Sequence, residues 1–214
     1  VEEFLGRTVE YQNWGANAAT FSFLVTVFFT CLQGWSLFAQ NATIRRNRSG
    51  ESLSTTFFIY TGCYFFMFLV YGITKNSIAF MFNGCLGIPY IPIVLALYRF
   101  KGFQGGDWVA LVLSLLMIPV VVMLEGAWQD MFVLTGLFGI IIPLVGQVRE
   151  MYRAKSSGSV EPKFVVTFMV ANIFWFTYGL TTGQWIFVVF NLISFLVLAT
   201  ALILYRRYRK TALS

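Results

Sequence analysis

Long stretches of this chain carry no charge: 11–44, 52–74, 76–98, 108–124, 131–148 and 164–205 contain no Asp, Glu, Lys or Arg. An ionised side chain at the centre of a bilayer costs about 2.5–3.5 kcal/mol or more, so the uncharged runs are where the chain can cross lipid. A helix needs about 20 apolar residues to span roughly 30 Å of hydrocarbon. The first five runs therefore hold one span each, and the last holds two, divided by the polar turn Thr181-Thr182-Gly183-Gln184. The predicted spans are 19–40, 54–73, 77–98, 108–124, 130–148, 164–181 and 185–205. They are apolar on every face, which suits helices and not the alternating strands of a barrel.

The basic residues test this count. With the N-terminus outside, 13 of the 15 fall on the cytoplasmic side: Arg45, Arg46, Arg48, Arg99, Lys101, Arg149, Arg153, Lys155, Lys163, Arg206, Arg207, Arg209 and Lys210. Only Arg7 and Lys75 fall outside. Cytoplasmic loops are enriched in Lys and Arg, so the asymmetry supports seven spans, an outer N-terminus and a cytoplasmic basic tail. Residues 1–10 hold three glutamates, the wrong charge for a cleavable signal peptide.

An internal repeat organises the spans. A shift of 107 residues brings Gln40 onto Gln147, Arg46 onto Arg153, Ser49 onto Ser156, Ser52 onto Ser159, Phe57 onto Phe164, Tyr71 onto Tyr178 and Gly72 onto Gly179; one residue more aligns Asn83 with Asn191. Spans 1–3 thus match spans 5–7. Each unit has an odd number of spans, and span 4 restores a common orientation, giving two parallel three-helix bundles joined by a linker helix. The expected divisions are an outer segment 1–18, a first repeat 19–98, a linker 108–124, a second repeat 130–205 and a basic tail 206–214.

Composition narrows the chemistry. With 58% hydrophobic and 11% charged residues the chain is an all-α membrane protein, and its net charge of +6 is not gathered into a stripe that would read nucleic acid. The chain has no histidine and three cysteines, Cys31, Cys63 and Cys85, inside apolar runs, where they read as buried packing residues. No metal site, cofactor or catalytic residue is expected, since no nucleophile has a partner base within a span. What stands out is asparagine. Asn83 and Asn191 lie mid-span at equivalent places in the repeat, and Asn172 lies one turn before Trp175. An amide both donates and accepts, which suits vicinal hydroxyls, and an indole can stack on the apolar face of a sugar ring. Pro89, Pro92, Pro119 and Pro143 are candidate bends.

The segments Gln40 to Ser54 and Gln147 to Glu161, Trp175-Phe-Thr-Tyr-Gly179 with its weaker copy Phe68-Leu-Val-Tyr-Gly72, and the paired asparagines together resemble the SWEET and SemiSWEET sugar transporters (the MtN3/saliva group) of the PQ-loop superfamily. The resemblance covers most of 20–210. It implies a central sugar site lined by Trp175 with Asn191 and by Phe68 with Asn83, with Tyr64 and Ala171 on the wall one turn earlier. It also implies gating about Gln40 and Gln147 and hinges at Pro143 and Pro162. Pro89, six residues after Asn83, would by its position place a kink between the site and the cytoplasmic mouth. The chain departs from the family at Ala39 and Gly146, where the Pro-Gln proline is missing, and at Phe68, where tryptophan is usual.

The function expected is facilitative transport of a small polar solute, a mono- or disaccharide, since no ionisable group lies within a span to couple protons. A PQ-loop carrier of an amino acid or vitamin-like solute and a seven-helix cargo receptor are the alternatives. The expected partners are the solute and the bilayer of the plasma membrane; a homo-oligomer is left open.

Overall fold

A computed structural model of the chain describes residues 6–181 and 185–211. The turn at 182–184 and the termini 1–5 and 212–214 lie outside the described residues, as do the side chains of 19, 181, 186 and 209–211. Seven helices are long and apolar enough to cross a membrane: span 1 (Thr20–Asn47), span 2 (Thr55–Thr74), span 3 (Ile78–Lys101), span 4 (Gly105–Met123), span 5 (Gly126–Ala154), span 6 (Pro162–Leu180) and span 7 (Phe187–Tyr208). The count and order agree with the uncharged runs.

The ends differ, for local reasons. Spans 1 and 5 run on past their apolar segments through Arg45 and Arg46, and through Arg149 and Arg153, because long basic side chains can reach the interface while the backbone stays helical. Both stop in the same way: Arg48 and Lys155, equivalent in the repeat, each adopt a left-handed conformation with φ 47°. Several helix starts carry side-chain caps. Asn17 accepts from the Thr20 amide at 2.9 Å and Ser54 from the Phe57 amide at 3.3 Å, while Gln104 and Asp107 close a capping box at the start of span 4.

Two spans are broken. Span 3 interrupts at Cys85–Leu86 and span 5 at Ile140. Each break lies three or four residues before a proline, Pro89 or Pro143, whose missing N–H leaves the carbonyl of Cys85 or Gly139 without its helical donor. Pro92 and Pro119 lie within continuous helix, and Pro162 is the first residue of its helix, where a fixed φ is favourable.

Span 2 packs along spans 3 and 4, span 6 along spans 1 and 7, and span 5 along span 7 with a further seam to span 2. The Tyr-Gly motif explains part of the closeness: a Cβ on Gly72 would lie 2.5 Å from the backbone nitrogen of Met81, so only glycine lets spans 2 and 3 approach there. Phenylalanine, leucine and isoleucine cover the outer faces, as in Phe21, Phe28, Leu113 and Ile203. Cysteine is the correction here: Cys63 is buried, but Cys31 and Cys85 are exposed on those faces. A small apolar thiol fits a lipid-facing surface as well as a core, so an apolar run alone does not show which way it points.

A short helix, Val9–Gln12, precedes span 1. The Glu10 carboxylate accepts from Ser77 Oγ at 2.6 Å and from the amides of Ile78 and Ala79 at 2.9 and 3.0 Å, capping span 3 from outside its own sequence. In the sequence Glu10 had only the look of an unsuitable signal-peptide residue.

Candidate functional site

Asn83 sits in the last turn before the break in span 3, and Asn191 in the second turn of span 7, nearer its start than the middle expected from the sequence; they are 8% and 3% exposed. Thr30 on span 1 approaches the Asn83 Oδ1 at 3.5 Å, and the Asn191 Nδ2 donates to the Phe187 carbonyl at 2.7 Å. Both face one cavity of about 90 Å³, in a measure where one water needs about 10–15 Å³. Phe68, Tyr64, Trp175 and Asn172 line it too, so the structure brings together all six residues read from the sequence as solute-binding. Pro89, Pro143, Pro162, Gln40 and Gln147 are not among the described residues that line it.

The walls are aromatic. Phe68 stacks on Tyr64 at 5.8 Å between ring centres, and Trp175 on Phe187 at 6.1 Å. The Tyr64 hydroxyl donates to the Val133 carbonyl of span 5 at 3.4 Å, so its ring, and not its polar tip, forms the wall. Towards the end that carries the 75–77 turn, Phe80 and Phe187 meet at 6.3 Å. Towards the basic end, Phe57 and Phe164 meet at 6.3 Å, edge to face. Phe57 and Phe164 are equivalent in the repeat, so each unit supplies one ring to that contact.

The basic end is also fastened by polar bonds that cross between the units in equivalent pairs. Gln40 Nε2 donates to the Ser159 carbonyl and Gln147 Nε2 to the Ser52 carbonyl, both at 2.7 Å. Their oxygens accept from the Glu161 amide at 2.8 Å and the Ser54 amide at 2.7 Å. Ser52 Oγ donates to the Ser156 carbonyl at 2.7 Å and Ser159 Oγ to the Ser49 carbonyl at 2.6 Å. Each glutamine holds the loop of the other unit, not its own. At the far end Asp130 of span 5 accepts from the Tyr71 hydroxyl at 2.9 Å and pairs with Lys75 at 2.6 Å.

Sequence reasoning missed Gln33, Thr61 and Ser194, which also line the cavity. Gln33 is an amide in the middle of span 1 and carried the same signal as the asparagines; it has no counterpart in the repeat, where Ile140 stands. Phe57 and Phe164 served only as register marks, because ring pairing across a bundle is invisible along one helix.

No individually curated protein matches the chain. Residues 134–212, the greater part of the second unit, match the model of a family described as sugar efflux transporter for intercellular exchange, which is a family of transporters and not a class of enzymes. Over residues 134–212 that match bears out the resemblance to the SWEET (MtN3/saliva) family carried by the glutamine, tryptophan and asparagine motifs.

Proposed function

We propose that this protein is a uniporter that moves a small polyhydroxylated solute, a mono- or disaccharide, by alternating access about the cavity shared by its two units. One observation carries the reading: two repeat-equivalent amides face a single cavity, with ring pairs from different spans towards each of its ends. Asn83 and Asn191 bind hydroxyls from opposite sides, Trp175 stacks on the ring, and Phe68 and Tyr64 fill the facing wall. Release to either side then requires one closure to part while the other holds: the Gln40 and Gln147 bonds with the Phe57–Phe164 pair at the basic end, or the Asp130 contacts with the Phe80–Phe187 pair at the other. The breaks at Cys85–Leu86 and Ile140 are the natural bending points. The positive-inside asymmetry supports a cytoplasmic basic end and an outer N-terminus. The test is uptake of labelled glucose and sucrose into proteoliposomes, expected to be saturable and to equilibrate the two sides; an absence of saturable flux for either would reject the reading.

A further inference from the structure

The cavity carries a second layer of polar side chains, set one turn nearer the basic end than the amides. Gln33 follows Thr30, the residue that meets Asn83, by three positions in span 1, and Ser194 follows Asn191 by three in span 7; each step is about 4.5 Å along its helix. Span 2 runs the other way. Its Phe68 packs at 4.9 Å on Phe80, three residues before Asn83, and Thr61 lies seven residues from Phe68 towards the basic end. That brings Thr61 about 6 Å past the level of Asn83, close to the depth of the other two. Gln33 is 5% exposed, Thr61 and Ser194 3% each, and Gln33 Oε1, Thr61 Oγ1 and Ser194 Oγ have no hydrogen-bond partner among the described residues. A buried polar atom without a partner is costly, so three of them around one cavity point to something that enters and bonds them.

This layer does not follow the repeat. The positions equivalent to Gln33 and Thr61 are Ile140 and Phe168, which line the same cavity as hydrocarbon, and the position equivalent to Ser194 is Leu86. Paired amides alone would accept a ring equally well after half a turn about the membrane normal. The second layer makes the two poses unequal. Size sets a further limit: a cavity of about 90 Å³ has room for about six to nine waters, which at a liquid share of about 30 Å³ each is the bulk of one hexose and less than that of two linked rings. The separation of the layers also matches the reach between hydroxyls at opposite ends of one pyranose.

Resting on the sugar-transport reading above, we infer that the cargo is a single hexose held in one orientation across both layers: hydroxyls at one end of the ring bond Asn83 and Asn191, and hydroxyls at the other end bond Gln33, Thr61 and Ser194. The test measures binding of glucose and of sucrose to the purified protein, and their flux in proteoliposomes, for the wild type and for Gln33→Ile, Thr61→Val and Ser194→Ala. Glucose should bind at least about tenfold more tightly than sucrose, and each variant should weaken glucose severalfold to about tenfold. Because no protein group bonds these atoms, the variants should melt in detergent, without sugar, no lower than the wild type. Sucrose bound and carried as well as glucose would overturn the inference and leave sugar transport standing. Variants that bind glucose like the wild type would show that the second layer holds only water, and variants that melt well below it would show that these side chains are packing contacts; either result overturns the assignment. Binding of neither sugar would overturn both this inference and the transport reading.

Discussion

Asn83 and Asn191 face the void at a depth where an amide has little water to fall back on. If both bind one solute, replacing either by alanine removes a hydrogen bond and leaves a hydroxyl unmet, a loss of about 1–3 kcal/mol. A carrier that must release its cargo binds near the millimolar range, about −4 kcal/mol, so each single variant should all but abolish saturable binding in equilibrium titration. The double variant should then lose little more; fully additive losses in folding stability, with binding intact, would mark the amides as contacts between helices. These residues were legible because a polar side chain in an apolar run is visible in one dimension. What each amide bonds was not, since the contact of Thr30 with Asn83 comes from a span more than fifty residues away.

At the scale of helices, the sequence located every described span to within several residues but missed how their ends are fastened. The glutamines were expected near a gate from their place in the motif; that each serves the other unit's loop depends on packing that no local pattern encodes. Gln40→Leu or Gln147→Leu leaves a buried amide and carbonyl unpaired in the opposite loop, costing the closed arrangement about 1–3 kcal/mol. Spin labels at positions 48 and 155 should then report a longer mean separation and a larger open population; an unchanged distance distribution would show that the loops close without them. The Tyr-Gly motif makes a separate prediction. Gly72→Ala sets a methyl against the Met81 backbone and should lower the melting temperature in detergent, whereas an unaltered melt would mean spans 2 and 3 can separate at no expense. Pro143→Ala returns a donor to the Gly139 carbonyl, and should slow exchange transport without loss of stability if the break at Ile140 is a working hinge.

For the molecule as a whole, the described residues lining the cavity include no acid, lysine, arginine or histidine. Flux should therefore follow the solute gradient alone, and uphill uptake driven by an imposed pH or sodium gradient would contradict uniport. Orientation is open to the same preparation in cells: a cysteine at position 13 should react with an impermeant maleimide added outside and one at position 157 should not. The seven-span count and the polar content of the centre were legible in the sequence because lipid taxes every charge. The state of the two mouths was not, since Phe57 and Phe80 look like any of the other phenylalanines until their partners are seen.

The exchange of bonds between Gln40, Gln147 and the opposite loops gives the two units a common lock and key. Gln147 holds the backbone of Ser52 and Ser54, and the positions equivalent to these in its own unit, Ser159 and Glu161, offer Gln40 the same carbonyl and amide. A fragment beginning at residue 126 therefore presents both the glutamine and the loop that such a glutamine grips. Expressed alone, it should associate side by side with a second copy of itself, and such a pair would be symmetric, its cavity lined twice by Asn191 and Trp175.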